Sequence, residues 1–234
     1  MTMTAEQARW FADITERITA NVERAVLGKS YVIRLSLTAM LSEGHLLLED
    51  VPGTGKTSLA RALAQSVRGT TTRVQFTPDL LPGDITGITV FDQRSGDFSF
   101  HRGPVFATIV LADEINRASP KTQSALLEVM EEGQVTIDGV SHDVEAPFLV
   151  IATQNPIEQA GTYRLPEAQL DRFLMKTAIG YPDHAATVRI LEGAGGPRAL
   201  VVEPVVELET VRDLISVART VHVDPTITDY VARL

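Results

Sequence analysis

The stretch HLLLEDVPGTGKT, residues 45–57, decides how the rest of the chain is read. Leu46, Leu47 and Leu48 give an extended backbone apolar side chains on both sides, the pattern of a strand buried on both faces. The run stops at Glu49-Asp50, passes Pro52-Gly53 and reaches Gly55-Lys56-Thr57, after which Leu59, Ala60, Leu63, Ala64 and Val67 recur at helical spacing over 57–67. Strand, glycine-rich loop and helix in that order form the setting of a phosphate loop. Gly53 and Gly55 let backbone N–H groups converge on an anion without Cβ obstruction. The helix start adds its dipole and free N–H groups. Lys56 can reach β- and γ-phosphates, and the Thr57 hydroxyl can serve Mg²⁺. Pro52, Gly53, Thr54, Gly55, Lys56, Thr57 and Ser58 are therefore the candidate phosphate-binding residues, set against the simpler reading of a structural turn.

The tripeptide Gly-Lys-[Ser/Thr] alone is cheap, expected by chance in roughly one chain in ten of this size. It occurs twice, and the earlier copy, Gly28-Lys29-Ser30, follows a helix with no strand or small residues before it. Only the copy at 55–57 has the required context. The pattern G-x-x-x-x-G-K-[ST] asks for glycine at position 50, and this chain has Asp50. A carboxylate there is expected to bring negative charge toward the phosphates and weaken affinity.

Working outward, 234 residues are enough for one large domain with a small appendage, and such a chain hides roughly three quarters of its unfolded surface. Lys+Arg 21 against Asp+Glu 30 gives a net charge of −9, which disfavours a role in coating nucleic acid. Cysteine is absent, which removes disulfides, thiolate catalysis and Cys-based metal sites and fits a reducing compartment. No apolar run approaches 18 residues, and the opening MTMTAEQARWF lacks a signal peptide's basic and apolar regions. The expected location is cytoplasmic. The five histidines lie at 45, 101, 142, 184 and 222 with no i,i+4 pair, so a protein-held transition metal is not expected.

Helices are predicted over 5–27, from Phe11, Ile14, Ile18, Val22 and Val26, and over 30–42. Apolar runs at 105–112 and 148–153 read as buried strands, and 72–76 and 174–179 as weaker ones. Strands alternating with helices predict an α/β fold: a three-layer αβα arrangement with a parallel sheet. Two hairpins interrupt it, at 90–100 around Arg94-Ser95-Gly96 and at 134–144 around Asp138-Gly139, the second with a type I′ turn signal. On local pattern alone they are also readable as surface excursions. After Gly180 only helical patterns follow, through Leu208–Ala218 and a helix opened by Asp224-Pro225. Residues 1–180 are thus expected to form the core, and 181–234 the start of a truncated helical domain.

The acids Asp113 and Glu114 end the 105–112 run, at the carboxyl edge where parallel sheets bind ligands. There Asp113 would hold Mg²⁺ and Glu114 would orient the attacking water; two solvated acids at a strand end are the plainer alternative. Asn155 ends the next strand and could contact the γ-phosphate or the water, or could merely serve the turn before Pro156. Arg172, within LPEAQLDRF, could equally make an internal ion pair.

The combination LLLEDVPGTGKT, QFTPDLLPGDITG, GPVFATIVLADEINRASPKTQSALLEVMEEGQVTIDG and IATQNPIEQAGTYRLPEAQLDRF, in this order and spacing, resembles the MoxR-type AAA+ ATPases over about residues 20–180. The resemblance implies an AAA+ P-loop core with an α-helical lid, ring assembly (usually hexameric) and ATP with Mg²⁺ between subunits. It matches Gly53–Thr57 to Walker A and Asp113 with Glu114 to Walker B. Asn155 then stands at sensor 1, and Arg172 is an arginine finger acting on a neighbour's ATP. Gln75 falls where a polar partner restrains the catalytic Glu. Val26, Gly28 and Lys29 fall in the segment that passes the adenine. The two hairpins resemble inserts that face a central pore. It further implies chaperone-like remodelling or maturation of a client, often with a von Willebrand factor A-domain partner. Other classes considered are a nucleotide-gated switch with little turnover and a nucleic-acid motor, which the −9 charge disfavours. No Asn-Lys-x-Asp motif supports a GTPase.

Overall fold

The computed structural model describes residues 2–50, 53–94, 96–155, 162–192 and 202–234. Its centre is a five-stranded sheet of β1 (Leu46–Glu49), β2 (Thr71–Gln75), β5 (Ile109–Asp113), β8 (Leu149–Gln154) and β9 (Met175–Thr177). The spatial order is β2-β5-β8-β1-β9 and every pairing is parallel. Side-chain alternation explains the uninterrupted apolar runs. Leu46, Leu48, Ile109, Leu111, Leu149 and Ile151 enter one hydrophobic cluster, with α1 (Ala5–Glu23), α2 (Ser30–Leu41) and α3 (Lys56–Ser66). Leu47, Val110, Ala112, Val150 and Ala152 enter another on the opposite face, with α5 (Pro120–Glu132). The central strands β5, β8 and β1 are covered on both faces, which is the αβα sandwich expected of the sequence.

Two of the predicted boundaries moved for identifiable reasons. The apolar run beginning at Val105 is a 3₁₀ turn over Pro104–Phe106 before the strand starts at Ile109, because Pro104 cannot join the ladder and Val105 is buried under the opposite face. Helix α1 stops at Glu23, and Val26 and Leu27 are buried in the connection that follows. The short α4 (Pro82–Thr86) and the longer α5 were not anticipated. The inner face of α5 includes two polar side chains, Thr122 and Gln123, which dilute its apolar period. Thr122 donates to the Leu80 carbonyl at 2.7 Å, and Gln123 donates to Ile115, Ala118 and Tyr163 carbonyls at 3.1–3.2 Å.

Both hairpins form as separate two-stranded ribbons: β3 (Gly87–Asp92) with β4 (Asp97–Arg102), and β6 (Gln134–Ile137) with β7 (Val140–Asp143). Ser95, in the first turn, lies outside the described residues. The second turn has Asp138 at φ 51° and Gly139 at φ 78°, the left-handed pair that a type I′ turn requires. Between β8 and β9 lies the short α6 (Glu167–Leu170), and beyond the sheet come α7 (His184–Leu191), α8 (Leu208–Ala218) and α9 (Pro225–Ala232). Asp224 caps α9 as expected, accepting from the Thr226 N–H at 2.8 Å. Val211, Leu214 and Ile215 of α8 join the same hydrophobic cluster as α1 and α2, so this helix shares the cluster on that face of the sheet. Among the described residues no helix is long and apolar enough to cross a membrane.

Candidate active site

The strand register brings the site together. Glu49 lies beside Gln154, and Gln75 beside Asp113, so four strands end at one edge of the sheet. The loop from β1 turns over that edge through Gly53 and Gly55, both in the left-handed region at φ 86° and 95°. A Cβ added at either glycine would meet nothing within 4 Å. The glycines are thus needed for the backbone turn, and the space above them is open. Helix α3 begins at Lys56 and directs its first turn into a hollow of about 350 Å³. Gly53, Gly55, Lys56, Thr57 and Ser58 line one side; Arg73, Gln75, Asp113 and Glu114 line the other. Lys56 is buried, with Nζ 3.5 Å from the Asp50 carbonyl oxygen.

The two acids are held differently. Asp113 is buried at the end of β5, and its Oδ1 accepts from the Thr153 hydroxyl at 2.6 Å. Its Oδ2 accepts from Arg73 Nη2 at 2.6 Å and Nε at 3.2 Å. Glu114 leaves the strand in the left-handed conformation, φ 57° and ψ 49°, a strain of about 1 kcal/mol that turns its side chain away from the strand's alternation. The Thr153 hydroxyl accepts the Glu114 N–H at 2.8 Å and so fixes both acids. Glu114 Oε2 accepts from Gln75 Nε2 at 2.8 Å and Arg117 Nη1 at 3.1 Å. Arg73 Nη2 also donates to Gln75 Oε1 at 2.9 Å, so one network spans both carboxylates.

The hollow suits a triphosphate with Mg²⁺. Its oxygens, from the Thr57 hydroxyl and the Asp113 carboxylate, are the hard donors that this cation takes, and Lys56 and Arg73 supply charge for phosphate. Glycine-lined N–H groups at a helix start complete an anion cradle.

The other expected residues fall elsewhere. Pro52 lies outside the described residues, and Thr54 is buried within the loop. Asn155 follows the last residue of β8 at the same sheet edge but is not among the residues lining the hollow. Arg172 is about a third exposed and pairs with Glu131 of α5 through Nε at 2.8 Å, while Nη1 donates to the Ala168 carbonyl at 3.2 Å. It does not line its own chain's hollow. Val26 is packed in the core, and Gly28 meets α7, where a Cβ would stand 2.7 Å from Ala186 Cβ. Lys29 turns from solvent to donate to the Ile179 and Gly180 carbonyls at 3.0 and 2.9 Å.

Asp50, expected to bring negative charge toward the phosphates, has a second engagement: its Oδ2 accepts the N–H groups of Ile179 and Gly180, both at 2.8 Å. Arg73 and Thr153 had not been picked out. Thr153 follows the apolar core of β8 and Arg73 sits two residues before Gln75, but only the β2–β5–β8 register shows that both reach Asp113.

Known proteins resemble this chain in sequence and in fold. Residues 45–175 match the model of the ATPase family associated with various cellular activities (AAA). The uncharacterized protein YeaC of Bacillus subtilis is 48% identical over 92% of this chain and 67% of its own length. Chaperone MoxR1 of Mycobacterium tuberculosis is 44% identical over 94% of this chain, and protein MoxR of Methylorubrum extorquens 34% over 76%. The chain spans 58% and 53% of those two relatives. A crystal structure of a candidate ATPase from Cytophaga hutchinsonii superposes with a TM-score of 0.89 at 38% identity, covering 97% of this chain and 69% of that one. The chain belongs to the MoxR-type AAA+ ATPases.

Proposed function

We propose that this chain binds Mg-ATP in the hollow between Gly53–Thr57 and Asp113–Glu114, hydrolyses it where neighbouring copies meet, and uses the cycle to remodel or mature a partner protein or complex. The observation that carries the reading is the joint lining of one cavity by Lys56, Thr57, Asp113 and Glu114. Gly53, Thr54, Gly55 and Ser58 cradle the phosphates with backbone N–H groups and a hydroxyl. Lys56 carries its ammonium to the β- and γ-phosphates. The Thr57 hydroxyl and the Asp113 carboxylate are the oxygens that hold the magnesium. When bound, the ion would supply positive charge against that developing on the phosphates. Glu114 accepts a proton from the water it orients, once Gln75 and Arg117 release its carboxylate. Asn155 holds the γ-phosphate or that water from the end of β8. The segment of Val26, Gly28 and Lys29 is the part of the backbone assigned to pass the adenine.

Arg172 fits a trans role because it stands away from its own hollow; to act as a finger it exchanges Glu131 for a neighbour's γ-phosphate. We place the core at 1–180 and the start of the lid at 181–234, and assign a hexameric ring in the cytoplasm. The client face comprises the two hairpins. They touch through Phe100 stacked on His142 at 4.1 Å, beside exposed Phe91 and Phe98. A von Willebrand factor A-domain protein is the partner class that the MoxR resemblance implies, and nucleic acid is not expected to bind. The chaperone designation of MoxR1 from Mycobacterium tuberculosis supports the remodelling role.

Nucleotide binding tests this reading. Lys56→Ala is expected to weaken fluorescent ATP binding at least about a hundredfold, by removing a charge-assisted bond and leaving phosphate unpaired. Unchanged affinity would remove the site. A second reading, a nucleotide-gated switch with little turnover, is favoured by the double restraint on Glu114. It is selected if assembled protein binds ATP and partner but releases no phosphate.

A further inference from the structure

Two features singled out by sequence remain without a phosphate role: the aspartate at the missing glycine position and the lysine of the unused Gly-Lys-Ser. The structure joins them. Asp50 and Lys29 are both buried, at 7% and 8% exposure, and both grip one dipeptide more than 125 residues away. The Asp50 carboxylate accepts the N–H groups of Ile179 and Gly180; the Lys29 ammonium donates to the carbonyls of the same two residues. A negative group therefore meets the donors and a positive group the acceptors, four charge-assisted bonds on two residues. Gly180 has φ 67°, and the segment runs from the end of β9 into α7. Gly28, next to Lys29, lets α7 approach to the limit of contact at Ala186.

We infer that Asp50 is a positioning residue that ties the phosphate loop to the turn at which α7 leaves the sheet, so that nucleotide in the loop resets the angle of α7. The route is short. Lys56 Nζ lies near the Asp50 carbonyl, and a lysine that swings to phosphate changes its hold on that backbone. Asp50 transmits the shift because its carboxylate is fixed to the dipeptide, and Lys29 keeps that dipeptide from rotating freely. The aspartate stands at the glycine position because it serves the hinge. The inference rests on the nucleotide reading above, but its first test does not.

Hydrogen–deuterium exchange of nucleotide-free protein reads the clamp directly. Asp50→Ala should speed exchange of the Ile179 and Gly180 amides about tenfold or more, with the β1 amides of Leu46–Leu48 unchanged as a control for folding. Coupling is read by spin labels at Arg61→Cys on α3 and Arg189→Cys on α7, in a chain that otherwise has no cysteine. A non-hydrolysable ATP analogue at measured saturation should shift the label distance in the parent chain. Asp50→Ala and, separately, Lys29→Met should reduce that shift by more than half, while Asp50→Asn, which keeps an acceptor oxygen, should retain more of it than Asp50→Ala. Unchanged amide exchange in Asp50→Ala overturns the clamp. Faster exchange with a full distance shift overturns the coupling and leaves a staple only. A parent chain that binds no analogue defeats the nucleotide reading, and with it the coupling, while the exchange result still decides the clamp.

Discussion

Arg73 holds the outer oxygen of Asp113 from a side chain that is half exposed, and any cation seeking that oxygen must displace or share with it. With the guanidinium half in water, the pair is worth only about 1 kcal/mol. Arg73→Gln should therefore lower the Mg²⁺ concentration that half-saturates nucleotide binding about two- to fivefold, read by titrating Mg²⁺ at fixed fluorescent ATP. A raised or unchanged concentration would show that Arg73 serves phosphate more than it blocks the metal. At this scale the sequence was legible where chemistry follows from local backbone: the glycines of the loop, and two acids closing an apolar run. It was not legible where partners meet through register. Thr153 secures both acids only because β8 lies beside β5, and Asp50 reads as a liability until its contacts with Ile179 and Gly180 are seen.

Among the elements, β1 enters the sheet through a buried histidine. His45 Nδ1 accepts the Val150 N–H at 3.0 Å, so Nε2 carries the proton and donates to the Met130 carbonyl at 3.1 Å. The ring is neutral, and burial pushes its pKa below the ordinary 6.5, with the bond to Met130 opposing in part. The unfolded chain takes up this proton first as pH falls. The contribution is whole above about pH 6.5 and declines below it, toward the folded-state pKa. Urea midpoints should fall between pH 7.5 and pH 5.5, and His45→Gln should flatten that decline even if it lowers the midpoint throughout. Equal pH slopes in both would exclude His45 as the source. The buried strands were legible because each opens on an unbroken apolar run: residues 46–48, 109–112 and 149–152. Helix α5 was missed because Thr122 and Gln123 occupy its inner face, a polar choice that only the neighbouring loop carbonyls explain.

For the whole molecule, the site as one chain presents it is half of a proposed whole. Arg172 is parked on Glu131, away from the hollow it is assigned to complete on a neighbour. In a full-length ring, subunits carrying Arg172→Ala mixed with subunits carrying Lys56→Ala should recover turnover above either variant alone, since some interfaces in the mixture keep both parts. Mixtures that never exceed the single variants would assign Arg172 to its salt bridge. A ring is expected only through the family resemblance, because no periodicity or spacing reports which surface meets another copy. The most direct test of the central claim is the fate of ATP in Glu114→Gln, which keeps the side chain's shape and removes its charge. The variant should bind Mg-ATP as tightly as the parent, within about threefold, and hold it unhydrolysed, with phosphate release slowed at least about a hundredfold. Parent-like phosphate release from Glu114→Gln would contradict the assignment of this hollow as the place where ATP is cleaved.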